Sequence, residues 1–191
     1  MSRTLRLGLF VLGAVASMSA TVAHGASAQT IPVVRVMAGN GFNDAYGLGI
    51  GASAGIEIPF IRDKRFFIGA RGMYHFGSEG TLAGFAPTGA PDPTGSVSQL
   101  QTGVEIGATW LSAPVFIRTV GGVGLSRVSV GLDSGASDLE GTSYKLQYGP
   151  GLLLALPAAN GTLAGIELRW LKVSDLDSAV SVYVTIGKRL L

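Results

Sequence analysis

Residues 48–58 read LGIGASAGIEI. The even positions are Leu48, Ile50, Ala52, Ala54, Ile56 and Ile58; the odd ones are Gly49, Gly51, Ser53, Gly55 and Glu57. Successive side chains of an extended chain point to opposite faces, so this stretch is a strand with one apolar face and one small or polar face. The split recurs. Phe66, Ile68, Ala70, Gly72, Tyr74 and Phe76 oppose Gly69, Arg71 and His75. Leu100, Val104, Ile106, Ala108 and Trp110 oppose Gln99, Gln101, Gly103, Glu105 and Thr109. Ala164, Ile166, Leu168 and Trp170 oppose Gly165, Glu167 and Arg169; Val180, Val182, Val184 and Ile186 oppose Ser181, Tyr183, Thr185 and Gly187. Fainter alternation covers 30–38, 114–126 and 143–156, which makes eight strands. They are long against the roughly 5–6 residues of an ordinary strand. They match the roughly 9–11 residues that a tilted strand needs to cross a bilayer.

The connections fall at 39–47, 61–65, 77–96, 111–113, 127–142, 157–161 and 172–178, with lengths 9, 5, 20, 3, 16, 5 and 7. Every odd-numbered connection is longer than every even-numbered one. An up-and-down membrane barrel has short turns on one side and longer loops on the other. Asn160-Gly161 suits a tight primed hairpin turn. Pro150 sits inside a strand, where a closed barrel has no edge to hide a missing N–H, so a β-bulge is expected there.

Charge decides which face is which. Within the strands lie Arg35, Glu57, Arg71, Glu105, Arg118, Lys145, Glu167 and Arg169, and all but Arg35 fall on the glycine-rich polar face. Arg35 lies in a strand that is apolar on both sides. A cation on the lipid face costs about 2–4 kcal/mol at the bilayer midplane. The aliphatic face therefore reads as lipid-facing, and the eight charged residues as an ion-pair network filling the lumen. Glu57, Glu105 and Arg118 are expected toward the short-turn end, with Arg71 and Glu167 nearer mid-height. An eight-stranded barrel has room inside for side chains or one small ligand. Phe60, Phe66 and Trp110 beside the short turns, and Tyr74, Phe76, Tyr144 and Trp170 beside the long loops, read as two interfacial aromatic girdles.

Composition agrees with this reading. The chain has 191 residues, 47% hydrophobic and 14% charged, with 29 glycines and no cysteine; its mean hydropathy is +0.43. The lack of cysteine excludes a disulfide scaffold, a thiolate metal site and a thiol nucleophile. Arg3 and Arg6, the apolar run 7–16 (LGLFVLGAVA) and Ala26-Ser27-Ala28 form the three parts of a secretory signal peptide. The expected division is a cleaved leader, 1–28, and a barrel domain, 29–191. The two leader arginines account for the whole net charge of +2, leaving 12 cationic against 12 acidic residues in the remainder. The basic isoelectric point is thus no sign of a nucleic-acid partner.

This pattern resembles the small eight-stranded outer-membrane β-barrels of the OmpA/OmpX-like and opacity-protein type, over 29–191. The segment 180–187 (VSVYVTIG) looks like the closing strand such proteins present to the outer-membrane assembly machinery. The family commonly ends on an aromatic residue, whereas this chain ends Lys188-Arg189-Leu190-Leu191. The resemblance implies an all-β, antiparallel up-and-down transmembrane barrel in the bacterial outer membrane, surrounded by lipid and lipopolysaccharide.

No catalytic residue, metal site or cofactor is expected. His75 is the one histidine after the leader, with Ser78 and Glu79 following. Deacylases of similar architecture carry His-x-Ser, and here Phe76 and Gly77 intervene. The outer loops hold Asp44, Glu79, Asp92, Asp133, Asp138, Glu140, Asp175 and Asp177 against Arg127 and Lys172. They read first as a solvated hydrophilic surface; the functional alternative is that divalent cations bridge these carboxylates to lipopolysaccharide phosphates. Loops 77–96 and 127–142 are the expected contacts for host or surface ligands. The leading expectation is a structural, adhesive or surface-protective barrel. The alternatives are a narrow porin-like channel, a lipid A-modifying enzyme and a soluble lipocalin-like barrel. The last requires the aliphatic face to point inward.

Overall fold

The computed structural model describes residues 30–42, 47–61, 64–77, 79–81, 94–133, 139–174 and 178–190. The signal-peptide expectation falls on 1–28, outside the described residues. The strands are β1 (Ile31–Gly41), β2 (Gly47–Ile61), β3 (Lys64–His75), β4 (Glu79–Thr81), β5 (Thr94–Leu111), β6 (Phe116–Asp133), β7 (Leu139–Pro157), β8 (Thr162–Val173) and β9 (Ala179–Arg189). Every neighbouring pair is antiparallel, β9 pairs with β1, and β3 pairs with β5. These pairings close an eight-walled up-and-down barrel, with the three-residue β4 continuing the β3 wall against β5.

Burial follows the period of two, and the aliphatic face is outside. On β9, Ser181, Tyr183 and Thr185 are buried, whereas Val180, Val184 and Ile186 are exposed, Val184 by 63%. Val36, Ile50, Ile68, Val104, Ile106, Val123, Leu125, Leu154, Ile166 and Leu168 are exposed in the same way. A water-soluble barrel hides such residues inside, so the lipocalin-like alternative fails. Among the described residues, the buried apolar side chains form four small clusters inside the barrel.

Strand ends differ from expectation mainly at the long loops. β6 runs to Asp133 and β7 starts at Leu139, so most of the expected loop 127–142 is paired backbone, from Arg127↔Tyr144 to Leu132↔Leu139. The alternation fades there because outward positions turn polar (Ser98, Ser129, Thr142), while hydrogen bonding along the ladder continues. β5, β6 and β7 reach 18, 18 and 19 residues, against 11 for β1 and β9 and 12 for β3 and β8. Their ends therefore project past the rest of the wall. Among the described residues the β7–β8 pairing ends at Gln147↔Val173, while β7 continues along β6 to Leu139. The sorting survives with narrower margins: 42–46, 82–93, 134–138 and 174–178 on one side, 62–63, 112–115 and 158–161 on the other.

Two local expectations are corrected. Pro150 causes no bulge. The β7–β8 ladder lapses at Gly149 and Pro150 and resumes in the same register, Tyr148↔Lys172 before and Gly151↔Arg169 after. Skipping one bond is enough, because the β6 side, Gly121↔Pro150, stays paired. Register shifts occur instead between Pro59 and Ile61 and between Thr109 and Leu111, both beside short turns. Asn160-Gly161 is not a two-residue turn either. The Gly161 N–H donates to the Ala158 carbonyl at 3.0 Å, and Gly161 takes φ 81° beyond that turn. Asn160 Oδ1 accepts from the Thr162 N–H at 3.0 Å. This is a three-residue loop with a glycine bulge.

Candidate functional site

Inward positions on β1, β2, β3, β5, β6, β8 and β9 carry the charged lumen. Arg35, Glu57, Arg71, Glu105, Arg118, Glu167 and Arg169 are each at most 7% exposed. Arg35, on the strand that is apolar on both sides, points inward beside Ser53, to which its Nε donates at 3.1 Å.

The side chains form two groups. In the larger, Arg35 donates from Nη1 to Glu167 Oε2 at 2.8 Å and from Nη2 to Glu105 Oε2 at 3.2 Å. Arg169 donates from Nε to Glu167 Oε1 at 3.0 Å and from Nη2 to Glu105 Oε1. Arg71 Nη1 reaches Glu167 Oε1, and Glu105 Oε1 at 3.5 Å. In the smaller group, nearer the short turns, Glu57 accepts from Arg118 Nη2 and, at 3.0 Å, from Arg189 Nη2. Arg118 Nε also donates to Thr109 Oγ1 at 3.0 Å. Glu105 thus belongs with Arg71 and Glu167, not with Glu57 and Arg118. Lys145 lies on the inward face opposite Ser126, half-buried and nearer the long loops.

Sequence reading missed Arg189 and the inward aromatics. Arg189 shares the parity of Tyr183, Thr185 and Gly187, which was the available signal. Phe67 is fully buried, with the Arg118 guanidinium 4.3 Å and the Arg35 guanidinium 5.9 Å from its ring centre. Phe116 lies 4.9 Å from Arg118, and Tyr183 lies 5.1 Å from Arg71. Such cation–π contacts add to the ion pairs when desolvated.

Toward the long loops a polar layer of histidine, tyrosine, glutamine and serine side chains follows. Tyr183 Oη lies 3.3 Å from His75 Nε2, and Gln99 Oε1 accepts from Gln101 Nε2 at 3.2 Å and Ser126 Oγ at 3.3 Å. His75 is fully buried, while Ser78 and the Glu79 side chain lie outside the described residues. No group of three His, Asp or Glu residues able to hold a metal occurs among the described residues. Beyond this layer, Val97, Val128, Leu171, Val173 and Ala179 pack together inside the long-loop end. At the other end Phe116, Leu153, Ala155 and Leu163 form one cluster, and Ile31, Val33 and Phe67 another. The charged section thus lies between apolar clusters.

The aromatics singled out in sequence stand at the two ends of the outer wall. Phe66 and Trp110 are exposed beside the short turns; Trp110 Nε1 donates to Thr119 Oγ1 at 2.9 Å, and Lys64 Nζ lies 4.9 Å from its ring. The Phe60 side chain lies outside the described residues. At the long-loop end Tyr74 meets Phe76 edge-on at 5.0 Å, Trp170 meets Tyr148 at 6.2 Å, and Tyr144 is 72% exposed. No helix among the described residues is long and apolar enough to cross a membrane.

Neither a family model nor a curated protein sequence matches the chain. Solved structures do. A major outer membrane protein from Thermus thermophilus aligns with TM-score 0.63 and 12% identity, over 84% of this chain and 99% of that one. The N-terminal β-barrel domain of Pseudomonas aeruginosa OprF aligns with TM-score 0.50 and 13% identity, over 85% and 98%. The chain has the fold of the small outer-membrane β-barrels. At such identity the likeness extends to the barrel's architecture and no further.

Proposed function

We propose that this chain is an integral barrel of the bacterial outer membrane that acts through what it displays beyond its long-loop end, as an adhesive or surface-protective protein. The observation that carries the reading is the projecting sheet of β5, β6 and β7. Its outward positions change from Val104, Val123 and Leu146 in the belt to Ser98, Ser129 and Thr142 beyond it, a change expected where a wall leaves lipid for water. Among the described residues the β8 ladder ends at Gln147↔Val173 while β7 continues along β6, and that β7 edge suits an added strand from a partner. Phe66, Trp110, Tyr74, Phe76, Tyr144 and Trp170 then mark the two interfaces. In this reading residues 1–28 are the export signal, and β9 is what the assembly machinery receives. Ion pairs between apolar clusters favour a filled wall over a conduit, and His75 held by Tyr183 is a packing residue.

The test expresses the full chain in a Gram-negative host beside a variant in which 129–143 is replaced by a short Asn-Gly turn. Adherence to epithelial cells and survival in serum are measured, with heat-modifiable gel migration as the control for folding. A gain in either property with the full chain, lost in the folded trimmed variant, supports the reading. Equal behaviour of the full chain, the variant and empty cells overturns it.

A further inference from the structure

Inside the barrel, against the β5–β6–β7–β8 wall, lies a cavity of about 20 Å³ bordered by Arg71, Gln101, Glu105, Gln147 and Arg169. Gly103 and Gly122 present bare backbone to it. A Cβ at Gly122 would lie 3.1 Å from Arg169 Nη1, so the glycine leaves space beside that guanidinium. The volume holds about one water-sized body.

Two features decide what that body is. Arg71 is only 7% exposed, yet its Nη2 is buried without a hydrogen-bond partner. Gln147 Oε1 is buried in the same condition, with the Gln147 Nε2 donating to the Thr102 carbonyl at 3.3 Å. The second feature is charge. Arg35, Arg71 and Arg169 face Glu105 and Glu167, three guanidinium groups against two carboxylates. Both oxygens of Glu105 are held, Oε1 by Arg71 and Arg169 and Oε2 by Arg35. Glu167 is held by the same three arginines. The carboxylates are fully engaged, and one positive charge is left over. A water molecule could satisfy both orphaned atoms, but it leaves a whole unit charge buried, which is heavily penalised. An anion accepts from Arg71 Nη2 and cancels it, while Gln147 Oε1, itself an acceptor, is no ligand to the ion.

We propose that the cavity binds a small monovalent inorganic anion of halide size, held by Arg71 Nη2 beside Arg169 as the counter-ion of the central ion-pair group. The site rests on the barrel fold alone and stands whether or not the projecting sheet binds a partner.

Gln147→Glu provides the test, because it places a carboxylate at the position of the amide oxygen and supplies the missing charge covalently. Wild type and variant are folded from urea into detergent micelles in sodium chloride or sodium gluconate of equal ionic strength, gluconate being too large for the cavity. The wild type is expected to unfold at higher urea in chloride, by on the order of 0.5 M if chloride is about tenfold above its dissociation constant. The variant is expected to lose that difference. Crystals of the wild type grown from bromide should show one anomalous peak beside Arg71 Nη2, and crystals of the variant none there. Equal midpoints in the two salts, or no peak, overturn the site and leave a water in it. A peak without a stability difference means binding at crystal concentration only and overturns it too. A chloride effect that persists in a folded Gln147→Glu variant locates the effect elsewhere and likewise overturns the site. If the variant does not fold, the two wild-type measurements decide.

Discussion

Glu57 answers two guanidinium groups at once, Arg118 and Arg189, and is fully buried. Removing one partner of a buried pair strands the other's charge, at a cost of about 3–5 kcal/mol. Glu57→Gln is therefore expected to destabilise the barrel by about that amount in urea unfolding, with part of the loss recovered when Arg118→Met is added. A loss under about 1 kcal/mol would mean that water solvates these arginines, as at a surface pair. The inward position of such residues was legible in sequence because lipid forbids the alternative. Their partners were not. Arg35 and Glu167 stand on β1 and β8 with β9 between them, and their meeting depends on how the closed barrel staggers its strands. Arg35 itself was ambiguous because both faces of its strand are apolar, and the neighbouring Ser53 on β2 was its one local cue.

Strands were readable wherever one face had to be aliphatic, and the reading stopped where that demand stopped. Beyond Arg127 and Tyr144 the outward positions turn polar, Ser129 and Thr142, while Val128 faces inward, so paired strand looked like loop. Pro150 looked like a disruption, yet the ladder passes it in register. Turn glycines give a graded test at this scale. Gly161, at φ 81°, closes the β7–β8 hairpin, and Gly161→Ala should cost about 1–2 kcal/mol, the usual penalty for a left-handed L-residue. Gly77, at φ 66°, is tighter, because a Cβ there would lie 1.6 Å from the Val97 carbonyl oxygen. Gly77→Ala is expected to cost more than Gly161→Ala by the same unfolding measurement. The reverse order would contradict the close approach of residue 77 to β5.

The whole molecule turns a soluble protein inside out, with ion pairs and amides at its centre and valine, leucine and isoleucine around its waist. One chemical demand, an aliphatic face on every wall, accounts for the 14% charge, the many inward glycines and the period of two. Val184, opposite Ala38 on β1 and Ile166 on β8, lies within the belt. Val184→Arg should cost about 2–4 kcal/mol in a bilayer. Purified barrels added to planar bilayers are expected to give no stepwise current, since Val97, Val128 and Leu171 close one end of the lumen and Phe116 and Leu153 the other. The chain has no cysteine, so single labels can be placed without background. The most direct measurement is nitroxide accessibility in lipid vesicles for Val104→Cys, Ile166→Cys and Val184→Cys, with the inward Thr185→Cys for comparison. The three belt sites are expected to collide with oxygen far more than with a water-soluble nickel chelate, and Thr185→Cys to be protected from both. Belt sites open to the nickel chelate would contradict a lipid-facing wall.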